Sequence, residues 1–385
     1  MSNDRLNYPI GYPVKKEQFW SAKQRANSSL HEIAYRACFK PELPAWFIDR
    51  YSSVGDVVYD PFAGRGTTAL QAALMERRFI SNDLNPISQI LTEPRIHPPH
   101  QEDVVLRIRS LQLDSAPEVI YESDHDLLAF YSRKTLSELN TLRAYLIERR
   151  LKKQEDEIDT WLRMVATCRL SGHSKGFFSF YSLPPNQAAS PESQRRINQK
   201  YHTDLNQYRD ITSIIVAKSA RLLAKVDPEW EGDGFFLTED AASTPMIPSD
   251  SVDLVVTSPP FLNVINYKKD NWLRFWFNNL DFNNIASQML QTSSLSIWQT
   301  AMQKVFNELF RVMKSGAYGV LEVGEVRKGK VMLDELAYEM LYLSGLNPIM
   351  TLINEQSFTK TAKIWGITNN KGGTNSNRML LFRKT

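Results

Sequence analysis

Residues 56–83 restrict the fold more than any other part of this chain. DVVYD at 56–60 is a short β-branched and aromatic run ending on an acid; PFAGRGTT follows, and then ALQAALMERR, with apolar residues at 69, 70, 73 and 74. That order predicts a strand, a glycine turn and a helix. RFISND at 78–83 is again strand-like and ends on an acid, so the stretch predicts one βαβ unit of a parallel sheet. Strand-like runs resume at 234–238, 252–257, 317–324, 348–354 and 378–383, with helices expected near 268–279, 296–314 and 331–345. From about 90 to 230 the alternation stops, and helical periodicity appears at 125–149, 156–169 and 205–226, broken by a polar loop at 182–200. The tally is an α/β fold of seven strands, interrupted by a large, mainly helical insertion.

Gly64-Arg65-Gly66-Thr67-Thr68-Ala69 satisfies the spacing G-x-G-x-x-A, and Asp83 ends the next strand where an acid can accept the two hydroxyls of a ribose. Glycines let the backbone approach a ligand, and the following helix points its amino end at it. No lysine follows the last glycine, which excludes a P-loop. A nicotinamide, another adenosine cofactor and a merely tight strand-to-helix turn all fit this motif alone.

Thr257-Ser258-Pro259-Pro260-Phe261 directly follows the run VDLVV. Two prolines at a strand's carboxyl end fix φ and remove two amide donors, leaving carbonyls that only accept hydrogen bonds. Such a turn suits the exocyclic amine of a nucleobase, and an adjacent aromatic ring offers a stacking face for a base taken out of the duplex. A proline turn covered by a core aromatic is the plainer reading.

Taken together, the two motifs resemble those of the amino-methylating DNA methyltransferases that use S-adenosylmethionine. Asp60 to Thr68 is similar to that family's D-P-F-x-G-x-G-T-T motif, and Thr257 to Phe261 to its S-P-P-Y/F motif. Phe39 and Pro41, in FKPELP, resemble the segment that packs over the cofactor's methionine end, and Asp240 stands where the family places an acid against adenine. The resemblance implies a Rossmann-like seven-stranded methyltransferase sheet in three parts. These are a cofactor-binding half with the amino-terminal segment (1–94), the helical insertion (95–232), which segment lengths and basic charge rather than the resemblance make the candidate target-recognition region, and a catalytic half (233–385). It further implies that Asp60, Phe62, Gly64, Gly66 and Thr67 surround the methionine part and Asp83 the ribose. Ser258, Pro259 and Pro260 would hold the target amine and Phe261 would stack on the base. The implied reaction is methylation of an exocyclic amine in double-stranded DNA by base flipping. Serine ahead of the prolines accompanies N4-methylcytosine in that family. N6-adenine and RNA amine methylation are the alternatives, and a cognate restriction endonuclease is the implied partner. Arg65 stands where serine is common, and either faces the substrate backbone or solvates the helix start.

Composition narrows the alternatives. Lys+Arg 46 against Asp+Glu 43 gives +3, which permits nucleic-acid binding without arguing for it. Cys38 and Cys168 lie far apart and outside any Pro-Cys loop, which argues against carbon-5 cytosine chemistry, a disulfide framework and a cysteine-built zinc site. The six histidines show no metal spacing, and His173 reads as a loop residue. With no apolar run long enough for a signal peptide or membrane span, a cytoplasmic protein without metal is expected. Trp272, Leu273, Phe275 and Trp276 read as core packing; the resemblance implies that the loop 357–376 opens on the active-site face, and a solvated loop is the plainer reading. Residues 161–220 carry eight basic groups against three acidic ones. Lys175, Arg195 and Arg196 are the candidate DNA contacts there, with Asn186, Gln187, Gln194 and Asn198 as readers of base edges.

Overall fold

The computed structural model describes residues 8–19, 28–36, 38–227, 229–260, 262, 267–290, 292–326, 331–355 and 376–385. Ten strands occur among them: β1 (Val14–Glu17), β2 (Val57–Asp60), β3 (Arg78–Asn82), β4 (Gly234–Leu237), β5 (Val252–Thr257), β6 (Met313–Val323), β7 (Glu325–Val326), β8 (Val331–Met332), β9 (Leu346–Glu355) and β10 (Ser376–Lys384). Eight form one sheet in the order β1-β9-β10-β6-β5-β2-β3-β4, while β7 and β8 make a separate antiparallel pair. β4, β3, β2, β5 and β6 are mutually parallel, and β10 runs antiparallel between β6 and β9. All seven expected strands are present. The eighth, β1, was not foreseen because VKKE carries no apolar alternation; it borrows its order from the parallel edge of β9.

Helices α1 (Glu42–Tyr51) and α2 (Thr67–Leu74) flank β2. Six more lie between β3 and β4: α3 (Ile87–Ile96), α4 (Gln101–Ser110), α5 (Arg133–Leu151), α6 (Glu157–Arg169), α7 (Pro191–Lys200) and α8 (Ile211–Leu223). After β5 come α9 (Tyr267–Phe277), α10 (Phe282–Gln288), α11 (Leu295–Val312) and α12 (Leu333–Leu343). The expected polar loop at 182–200 is therefore corrected: its second half is α7. Ser190 caps that helix by accepting from Ser193 N, and Pro191 opens it.

Strand alternation sorts the core onto the sheet's two faces. Val58, Leu254 and Val256 point to one face, where they share an apolar cluster with α1, α2 and the helices of the intervening segment, Trp161 and Leu139 included. Tyr59, Val255 and Leu321 point to the other, against α11 and α12. The helical segment thus completes a layer of the sheet and does not build a core of its own. Strand order leaves β2 in opposite directions at β3 and β5, and such a switch point opens a crevice at the strands' carboxyl ends.

No described helix is long and apolar enough to cross a membrane.

Candidate active site

Both motifs end strands at this crevice, and one buried carboxyl joins them. Asp60, the last residue of β2, accepts from the Phe62 amide at 3.0 Å and from the Thr257 hydroxyl at 2.6 Å. Burial pushes its carboxyl up to about 7. Its position makes it a brace between the turns, not part of the cavity wall.

Asp83 follows β3. Its carboxylate accepts from the Gly64 amide at 2.8 Å and the Asn85 amide at 2.9 Å, and burial pushes it up to about 6. The rim beyond β4 is set by Asn82, whose side chain donates to Glu239 O at 3.0 Å and accepts from the Glu239 amide at 3.0 Å. That clamp fixes the start of the turn bearing Asp240, which is exposed and accepts from the Ala242 amide.

A cavity of about 470 Å³ lies between these elements. Phe62, Gly64, Asp83 and Asp240 line it, and so do Ser258 and Pro260 from the second motif. Leu290, Ile297 and Met302 supply an apolar wall from α11 and the segment before it. Phe39, Pro41, Asp60, Gly66, Thr67 and Pro259 do not line it. Phe39 is half-buried against the core, Pro41 starts α1, and Thr67 Oγ1 accepts from Arg65 Nε at 3.1 Å. Phe261 lies outside the described residues, as does the loop at 357–376 apart from Ser376.

Four features were not read from the sequence. Tyr35 lines the cavity beside Gly64. Arg65 is half-buried and turns back onto its own chain; its guanidinium donates to the Ile33 carbonyl at 2.8 Å and the Phe39 carbonyl at 3.3 Å, strapping that segment over the glycine turn. Trp298 Nε1 donates to Pro260 O at 2.9 Å, so this carbonyl of the proline turn already has a partner. Above all, Ser258 Oγ donates to Glu322 Oε2 at 2.6 Å. Glu322 is a nearly buried acid on β6, and the β5–β6 register, with Thr257 opposite Leu321, brings it to the turn. Its only trace in the sequence is a lone acid in the apolar run 317–324.

The residues suggested for DNA separate into two sets. Lys175, Arg195 and Arg196 are exposed, and Arg195 pairs with Asp126. Gln194 and Asn198 are buried and hydrogen-bonded, Gln194 to Ser182 and Tyr181 O, Asn198 to Ala129 O, which corrects their reading as base contacts. Two of the eight basic groups are also internal: Arg163 pairs with Glu155, and Lys218 donates to Glu32 O at 2.6 Å. Trp272, Leu273, Phe275 and Trp276 pack against the core as expected. No described group of three His, Cys, Asp or Glu residues is placed to hold a metal ion.

Residues 10–91 match a family described as DNA methylase, so the resemblance drawn from the motifs holds over that segment. The chain is 35% identical over 104 residues to the type II methyltransferase M.BsoBI of Geobacillus stearothermophilus, covering 26% of this chain and 19% of that protein. It is 31% identical over 111 residues to the type II methyltransferase M.MjaII of Methanocaldococcus jannaschii, covering 29% and 19%. To the orphan methyltransferase M.BamHII of Bacillus amyloliquefaciens it is 42% identical over 60 residues, covering 15% and 23%. The matched part spans about a fifth of the length of these relatives.

Proposed function

We propose that this chain transfers a methyl group from S-adenosylmethionine to the exocyclic N4 amine of cytosine in double-stranded DNA. The base is flipped out of the duplex, and a restriction endonuclease acts on the same site. The observation that carries the reading is that the glycine turn and the Ser-Pro-Pro turn, distant in sequence, open on one cavity. Its volume suits a cofactor, and Asp83, each of whose oxygens accepts from one backbone amide, lines it with lone pairs left over for ribose hydroxyls. The apolar wall of Leu290, Ile297 and Met302 suits adenine. S-adenosylmethionine brings an activated methyl, so the protein's task is to hold donor and acceptor in line.

Ser258 does this for the amine. Because its own proton goes to Glu322, its oxygen presents lone pairs and accepts from the amine, and Glu322 becomes the acceptor for the proton the nitrogen must shed after methylation. The cytosine assignment rests on serine at this position. Nucleoside mass spectrometry of treated DNA tests it. N4-methylcytosine is expected, N6-methyladenine alone overturns the choice of base, and the absence of any methylated nucleoside overturns the activity.

Asp83→Ala is expected to weaken S-adenosylmethionine binding by about 1 to 3 kcal/mol, the worth of hydrogen bonds to a charged acceptor. The ionised carboxylate is the better acceptor for ribose hydroxyls, so affinity should fall as pH drops through about 6 and level off above it. Calorimetry on Asp83→Asn, which does not titrate, should show no such fall. A pH-independent affinity in the unaltered protein would remove Asp83 from the ribose site.

The segment 95–232 is assigned to target recognition, with Lys175, Arg195 and Arg196 on phosphates. Arg195→Ala combined with Arg196→Ala should weaken DNA binding and reduce the log–log salt slope by about 1 to 2, leaving cofactor affinity unchanged. An unaltered salt titration would take this helix off the DNA.

A further inference from the structure

The two prolines that make the Ser-Pro-Pro turn a row of acceptors also leave it without amide donors at 259 and 260, so it cannot close on itself through those positions and has to be held from outside. Side chains that meet on three different elements hold it. Thr257 Oγ1 donates to Asp60 at the end of β2, and Ser258 Oγ donates to Glu322 on β6, each at 2.6 Å. Trp298 on α11 reaches the far end of the turn, where its Nε1 donates to Pro260 O at 2.9 Å. The indole is 1% exposed, in an apolar cluster with Leu262, Met302 and Phe306. Further along α11, Glu308 Oε1 accepts from the Thr244 amide at 2.8 Å and from its hydroxyl at 2.7 Å, and Arg311 donates to the carbonyls of Thr244 at 3.0 Å and Ile247 at 2.9 Å. The helix that carries the indole is thereby fixed to the turn after β4.

The same helix walls the cavity. Ile297, Ala301 and Met302, one residue before Trp298 and three and four after it, line the space, as does Pro260, whereas Trp298 does not. One N–H thus ties the acceptor turn to the wall against which a cofactor would rest. We propose that Trp298 is a positioning residue for methyl transfer: by engaging Pro260 O it holds the far end of the turn, and Ser258 with it, in register with the donor's methyl group. An exocyclic amine has two N–H bonds to place and one lone pair to aim, and a free carbonyl at 260 would compete for those hydrogens and swing the lone pair off line. In the transfer that lone pair forms the new N–C bond as the sulfonium S–C bond breaks, leaving a neutral thioether, and the nitrogen sheds a proton. This assignment rests on the DNA methyltransferase reading and deepens it, because it names what aims the turn without touching the reacting atoms.

The test measures single-turnover transfer of a labelled methyl group to unmodified bacterial DNA, at saturating S-adenosylmethionine and DNA, in the full chain and in two variants that divide the indole. Trp298→Phe keeps an apolar ring and loses the N–H. Trp298→His keeps a ring N–H at the same number of bonds from the backbone and loses the benzo ring. Trp298→Phe is expected to lose about tenfold or more in rate constant, as for a displaced reacting group, while calorimetry finds S-adenosylmethionine affinity within about threefold. Trp298→His should have the lower thermal midpoint of the two, because it leaves a void in the cluster, and the higher rate constant. A merely structural tryptophan would move only the midpoints, since a single-turnover rate constant does not depend on the folded fraction. Transfer at the unaltered rate by Trp298→Phe overturns the proposal alone, whether or not Trp298→His folds. A joint loss of cofactor affinity and rate in Trp298→Phe also overturns it, and would assign the indole to the cavity wall. No transfer by the unaltered protein overturns the methyltransferase reading, and this one with it.

Discussion

Glu322→Gln should slow single-turnover methyl transfer by about a hundredfold or more, within the range for loss of a positioned proton acceptor, while S-adenosylmethionine still binds. The substitution keeps side-chain volume and removes only the charge. Glutamine still accepts from Ser258 Oγ through its amide oxygen, so the turn stays in place, but it takes no proton from the methylated nitrogen by way of Ser258. Glu322 does not line the cavity; it acts through Ser258 and is a positioning residue and proton sink. A purely structural role would predict something else: Glu322→Gln would lower stability and leave the rate per folded molecule intact. The rate per folded molecule separates the two: Glu322→Gln should be slow in single turnover while its denaturant midpoint stays close to that of the unaltered protein. An unchanged rate in a folded Glu322→Gln variant would remove the pair from the mechanism and leave Ser258 as an ordinary capped turn residue.

What was legible in advance was local. The βαβ unit at 56–83 could be read because alternation, glycine spacing and the acids at both strand ends all lie within one short stretch. Phe39 and Pro41 of the neighbouring segment do not line the cavity, for a non-local reason. Which aromatic of that segment faces the cavity is decided by Arg65 and Arg95, whose guanidinium groups hold the carbonyls of Leu30, Ile33 and Phe39 and turn Tyr35 inward. Glu322 was illegible because only the pairing register of β6 with β5 carries it to Ser258. In α7 the signal was present, Ser190-Pro191-Glu192 being a strong helix start, but the face it buries is built from Gln194 and Asn198 in place of apolar residues. Hydrophobic periodicity is blind to a helix that docks through hydrogen bonds.

The largest expected loss of stability comes from Gly66→Ala, at about 2 to 5 kcal/mol. The two glycines of the turn do different work, although the motif treats them alike. At Gly64, φ is +56° and an added Cβ meets the Tyr35 ring at 3.6 Å, an ordinary contact, so its demand is conformational. At Gly66, φ is +70°, and an added Cβ lies 2.2 Å from both Oγ1 and Cγ2 of Thr92 and 2.7 Å from its Cβ. Left-handed backbone accounts for about 1 to 2 kcal/mol of the loss and overpacking against α3 for about 1 to 3. Thr92 cannot swing away freely, because it is fully buried and its hydroxyl donates to Ser88 O at 2.7 Å. Gly66 therefore serves the close approach of α2 to α3, one layer behind the cavity, and its loss should leave cofactor affinity per folded molecule nearly unchanged. Adding Thr92→Ala to Gly66→Ala removes the two nearest atoms and should recover about 1 to 2 kcal/mol in denaturant unfolding, a coupling expected only of side chains in contact. Strictly additive losses would show that the helices part to admit the methyl group, and would leave the left-handed turn as the whole reason for glycine at this position.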